Sequence, residues 1–284
     1  MTGFSIWGAI GTGSALLFAD KRAFFGYLGL ALLIPFLLFS IHDQSNFRTF
    51  YALAVSDAVS VRTAETPWTI LSLFLLSAMG IGCIVFAAWN AMLADSRDGP
   101  IGEIMSGLVA GIISTFVATG IYMAISIPFG IMMVGLVLAI GGGNPPTASL
   151  VAGIGLATIA IQLANLLAFT WACSRFCLSG PAMAATGSLN PFAGLATSWR
   201  LTAKAPWRIF FLMLAMQVGV FILTVIIVAV GVALVEGTYD FGWQDSVISL
   251  MTIGALAICV LLLMMVPMGL YSQLTGSTDS SIFD

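Results

Sequence analysis

The chain is 284 residues long, 60% hydrophobic and only 7% charged, with a formal net charge of −3. A soluble domain carries about 25% charged residues, and a chain this apolar would expose large apolar patches in water. These values exclude a soluble globular domain and a nucleic-acid-binding one. They leave an all-α polytopic membrane protein, a single membrane domain over 1–284.

A helix needs about 20 apolar residues to cross the hydrocarbon core. Residues 4–20 predict a short helix at the membrane interface, on which Phe4, Trp7 and Phe18 align while Gly8, Gly11 and Gly13 loosen it. Lys21 and Arg22 follow this apolar stretch, the reverse of a cleaved signal peptide, so the N-terminus is expected to be retained. The first span is expected at 23–41. Phe47, Tyr51, Ala54 and Ala58 keep helical spacing, so a short surface helix is expected within 43–66. The second span covers 68–94.

Residues 104–174 carry no formal charge and are too many for one crossing. Gly141-Gly142-Gly143-Asn144-Pro145-Pro146 divides them, because Gly and Pro favour a tight turn. The third span is placed at 113–140, after a short entry segment at 100–112, and the fourth at 148–174. Asn190-Pro191 reads as a helix start, a cap residue followed by Pro at the first helical position. On the helix that follows, Phe192, Leu195, Ala196, Trp199 and Ala203 share one face, flanked by Thr197, Arg200 and Lys204. This predicts a helix lying in the interface, apolar side down. The fifth span is expected at 209–235, the sixth at 246–273, and 275–284 as a mobile polar tail.

Six transmembrane helices, arranged as three hairpins each preceded by a cytoplasmic interfacial helix, put both termini on one side. Lys21, Arg22, Arg97, Arg175, Arg200, Lys204 and Arg208 fall on that side, and Arg48 and Arg62 on the other. The positive-inside rule makes the first side cytoplasmic.

The candidate contact surface is Arg175, Trp199, Arg200, Lys204 and Arg208. No acid interrupts it, since none occurs between Glu103 and Glu236. Basic groups near a membrane surface attract anionic lipid headgroups or an acidic partner; the competing reading is that they only set topology. Inside the spans the polar candidates are Gln162 and Asn165, three residues apart, with Asn90 and Gln217. They either line a polar cleft or hydrogen-bond between helices. His42, the single histidine, stands at the outer end of the first span. Cys83, Cys173, Cys177 and Cys259 show no zinc-site or disulfide pattern. No catalytic set, metal or cofactor is expected. Pro35, Pro128 and Pro267 lie within spans and are expected to kink them, with Ser126 to Gly130 the first candidate for a full break, which would mark a transport site. Gly107-x3-Gly111 and Gly153-x3-Ala157 permit close helix contact.

Ser179-Gly180-Pro181-Ala182, then Ala196-Thr197-Ser198-Trp199-Arg200-Leu201-Thr202, then Trp207-Arg208, together resemble a group of bacterial six-span proteins. The group includes the membrane domain attached to some glycerophosphodiester phosphodiesterases and related small envelope proteins. The resemblance implies a bacterial inner-membrane location. It does not imply the phosphodiester chemistry, because no acid-rich or His-rich segment here could supply such a site. The expected function is a non-catalytic scaffold or accessory subunit that associates with membrane lipids and other membrane subunits. The alternative is a transporter or channel for a neutral or amphipathic solute.

Overall fold

The computed structural model describes residues 5–19, 21–41, 67–93, 99–140, 148–235 and 242–276. The expected surface helix within 43–66, His42, Arg97, the 141–146 break and the polar tail from 277 lie outside the described residues. Within them the regular structure is entirely helical: α1 (Ile6–Ala19), α2 (Lys21–Ile41), α3 (Pro67–Leu93), α4 (Gly99–Ile140), α5 (Ala148–Phe176), α6 (Ser179–Thr186), α7 (Pro191–Thr202), α8 (Pro206–Val235) and α9 (Gly242–Thr275).

Five of these are long and apolar enough to cross a membrane: α3, α4, α5, α8 and α9. The chain is a multi-pass membrane protein. The described apolar part of α2, Phe24–Pro35, is shorter than a crossing, although the helix itself is 21 residues long.

The helices divide by burial. In the apolar windows of α3 and α9, 44% and 39% of the residues are buried inside the protein; in that of α5, only 6% are. The core is therefore α3 and α9, with α1 and α2 packed on them. Leu17, Phe24, Tyr27 and Ala31 meet Ile84, Ala88, Val260, Met264 and Met268 there. Trp89 ties the two central helices together, its indole N–H donating to the Met264 carbonyl at 2.9 Å. Pro267 lies in the same stretch of α9 and has no N–H to give the preceding turn.

Glycines set the closest approaches. A Cβ on Gly13 would overlap the Met265 carbonyl, and one on Gly269 the Ala9 carbonyl, so α1 and α9 touch backbone to backbone. The expectation that the glycines loosen the first helix is corrected for Gly13. Its missing side chain admits α9, and Ala9, Gly13 and Leu17 form the buried face of α1. This helix is thus docked on the core, not laid alone on the membrane surface. Gly107 and Gly111 behave as expected: Cβ atoms there would strike Ala87 and the backbone of Cys83 on α3. Gly153 has nothing within 4 Å of an added Cβ among the described residues, so no close helix approach is made there.

Two further expectations are corrected. Residues 100–112 are not a separate entry segment; they form the first turns of the 42-residue α4. Gly107 and Gly111 hold those turns against α3, and no capping residue or Pro stops the helix before Pro128. Nor is the helix broken at 126–130, since α4 continues through Pro128 to Ile140. The most extensive contacts are α3 with α4 and α1 with α9, and α2 with α3, α4 with α5 and α8 with α9 also touch.

Replacing Gly269 or Gly13 by Leu should lower thermal stability in mild detergent by about 1–3 kcal/mol or more, the cost of overpacking. The same change should expose α1 to protease. Gly153→Leu should alter neither, and equal effects at all three positions would contradict the α1–α9 contact.

Candidate functional site at the basic end

The short helices α1, α6 and α7 gather near the C-terminal ends of α5 and α9. Helix α7 starts as its sequence dictates. Asn190 caps it, its side-chain oxygen accepting from the N–H groups of Phe192 (3.0 Å) and Ala193 (3.4 Å), and Pro191 opens the first turn. The face of α7 turned into the protein is the small one: Gly194, Ser198 and Thr202 are buried. Phe192 and Trp199 remain exposed, as an interfacial helix requires.

Ser198 and Thr202 close the end of α5. The Ser198 hydroxyl donates to the Arg175 carbonyl at 2.6 Å and accepts from the Leu178 N–H at 3.1 Å. The Thr202 hydroxyl also reaches the Arg175 carbonyl, at 3.5 Å. The last carbonyls of a helix lack intrahelical partners, and both hydroxyls are fully buried. Satisfying that carbonyl turns the chain from α5 into α6. Helix α6 then enters the core, with Gly180, Pro181, Ala182, Met183 and Ala184 buried. Gly180 lies flat on the Trp89 ring, where any Cβ would overlap it, and Gly194 of α7 lies against Met183. Gly187, at φ 64°, ends α6 with N–H bonds back to its last turn.

Three of the five candidate contact residues, Arg175, Trp199 and Lys204, also have partners within the protein. The Arg175 guanidinium lies 5.0 Å from the Trp199 ring centre and 5.6 Å from that of Trp171. The two indoles meet edge to face at 5.5 Å. Cation–π contacts of this kind contribute about 0.5–2 kcal/mol, so Arg175 and Trp199 pin α7 onto α5. Lys204 turns away and donates from Nζ to the Leu274 carbonyl at 2.9 Å, at the C-terminal end of α9. A cation there also meets the negative end of the helix dipole. Arg200 is exposed on α7, and Arg208 is exposed in the first turn of α8.

The polar residues of the spans are scattered. Asn90 donates from Nδ2 to the Ser106 hydroxyl at 2.7 Å, linking α3 to α4. Gln217 accepts from the Thr170 hydroxyl, linking α8 to α5. Both serve helix packing. Gln162 is exposed on α5, while Asn165 is partly buried with an unpartnered Oδ1. The two amides therefore have different surroundings and do not form a shared cleft.

Sequence reasoning passed over Trp89, Trp171 and Ser198. Trp171 and Arg175 do carry a signal, a four-residue spacing that stacks them on one helix face. Ser198 and Trp89 carry none on their own, because each acts on a backbone carbonyl of a distant segment.

Ser198→Ala should cost about 1–3 kcal/mol of stability, the range for leaving a buried polar group unsatisfied. Trp199→Ala should also destabilise the protein. Arg200→Ala, which removes an exposed side chain, should stay within about 0.5 kcal/mol of the parent. Thermal unfolding in detergent ranks the three, and an Arg200 loss as large as that of Ser198 would contradict the assignment.

The chain matches no protein-family model, no curated protein and no solved structure.

Proposed function

We propose that the protein is a six-span bacterial inner-membrane protein with cytoplasmic termini, acting without a catalytic site as a lipid-associated scaffold or accessory subunit of a membrane complex. The observation that carries this reading is the outward apolar surface of α4, α5 and α8. Only 11%, 6% and 17% of the residues in their crossing windows are buried within the chain. Phe116, Ile131, Leu156, Ile159 and Phe221 are all more than 60% exposed. In a membrane such faces are covered by lipid or by another membrane chain.

Helix α2 supports the sixth crossing. It lies along α3, with Ile34 against Gly80, and Lys21 is exposed at its start. The seven-to-two split of basic residues supports cytoplasmic termini. Arg175 and Lys204, engaged with Trp199 and Leu274, act as structural closures in this reading. Arg200, Arg208 and the exposed face of Trp199 supply the outward contact in this reading. The resemblance of the 179–208 motifs to the phosphodiesterase-linked membrane domains supports the bacterial inner-membrane setting.

One observation favours the second reading, a path for a neutral or amphipathic solute. Tyr122 of α4 meets Phe169 of α5 edge to face at 5.4 Å. One turn further toward the α4–α5 connection on each helix stand Ser126 and Asn165, and the Ser126 Oγ and Asn165 Oδ1 atoms are buried without partners.

Extraction of the tagged protein into native membrane discs tests the scaffold reading. A defined membrane chain or lipid set should come with it. A monomer carrying neither would overturn it. Asn165→Leu separates the two readings: a scaffold should keep its companions and gain stability from losing an unsatisfied buried atom. Lost companions together with lost solute flux in vesicles would favour the path.

A further inference from the structure

We propose that the groove between α8 and α9 binds one acyl chain of an anionic phospholipid, with the lipid phosphate held by Arg208. This deepens the lipid-associated reading and rests on α8 crossing the membrane with its first turn at the headgroup level.

The groove is lined by Ala215, Gly219, Ile222 and Ile226 of α8 and by Ile258 and Leu262 of α9, and its surface is almost entirely apolar. Arg208 stands at the head of the same stripe. Ala215, Gly219, Ile222 and Ile226 follow it at offsets of 7, 11, 14 and 18 residues, each close to a whole number of helical turns. A cation and an apolar channel on one helix face match the two ends of one amphiphile. At 1.5 Å per residue, Ala215 lies ~10 Å and Ile222 ~20 Å along the axis from Arg208. The stretch from Ala215 to Ile222 fits one leaflet of a hydrocarbon core ~30 Å thick, measured from its headgroups, and Ile226, ~27 Å from Arg208, lies past the midplane.

Two further observations agree. Trp207 and Phe211, 68% and 59% exposed, flank Arg208. Large aromatic side chains favour the headgroup zone, where part of the ring is buried and part is wet. Gly219 has nothing within 4 Å of an added Cβ, so the groove is open where the chain would lie. Free fatty acid carries the same chain but a carboxylate in place of the phosphate, and it serves as a separate arm of the test.

The test uses the full-length protein in nanodiscs of phosphatidylcholine, titrated with phosphatidylglycerol or oleate. Lipid retained after mild extraction is counted by native mass spectrometry. The parent should retain one phosphatidylglycerol in preference to phosphatidylcholine by about fivefold, the effect of one basic group near an anionic surface. Arg208→Gln should abolish that preference. Gly219→Leu fills the groove without striking a neighbour and should abolish retention of either lipid. Lys21→Gln, which removes an exposed cation on α2 away from the groove, should leave retention unchanged.

Retention that survives both Arg208→Gln and Gly219→Leu would overturn the proposal, as would a loss of equal size in Lys21→Gln. Oleate retained as well as phosphatidylglycerol would overturn the phosphate assignment. Failure of the parent to enter discs would overturn the crossing reading as well. Entry without lipid preference would overturn the lipid site alone.

Discussion

The Ser198 hydroxyl stands between the Arg175 carbonyl and the Leu178 N–H, and the arrangement of the basic end depends on that bridge. A helix that ends in apolar surroundings leaves carbonyls that water cannot reach, and each unsatisfied group is costly. The chain meets this constraint repeatedly with side chains. Ser198 and Thr202 serve α5, and Lys204 serves the end of α9. Asn190 meets the mirror problem, the free N–H groups at the start of α7. The polar residues of this end are closures of the backbone before they are anything else.

Glycine supplies the complementary device. Without hydrophobic drive between helices in lipid, association relies on close packing and on hydrogen bonds made at short range. Gly13 and Gly269 bring α1 onto α9, Gly107 and Gly111 bring α4 onto α3, and Gly180 brings α6 onto Trp89. These contacts concentrate at α3 and α9. The outer helices α4, α5 and α8 are left with long apolar faces, and α5 joins the rest chiefly through its C-terminal third, where Thr170, Ala172 and Ser174 are buried. That asymmetry gives the molecule a tied end and a surface open to the membrane.

What the sequence made legible was local. The helical class, the long apolar helices, the Asn190-Pro191 start and the Gly107-x3-Gly111 contact depend on residues close together in the chain. The rest depended on partners far away. Gly13 read as a weak point because its value lies in Met265, some 250 residues later. The turns over 100–112 read as a separate segment because α3, which holds them in α4, cannot be read from their own pattern. The partners of Arg175 and Lys204, Trp199 and Leu274, lie on other helices and cannot be read from the pattern around the two cations. Ser198 lay within the motif that resembles the phosphodiesterase-linked membrane domains, yet its hydroxyl gave no sign of which backbone it would close.

Amide hydrogen exchange of the Ser198→Ala protein in lipid discs, read beside the parent, tests the bridge most directly. Exchange reports the opening free energy of individual segments. The account predicts faster exchange at the Leu178 amide and through α7, with the central turns of α3 and α9 as protected as before. Unchanged protection at Leu178 and α7 would contradict it.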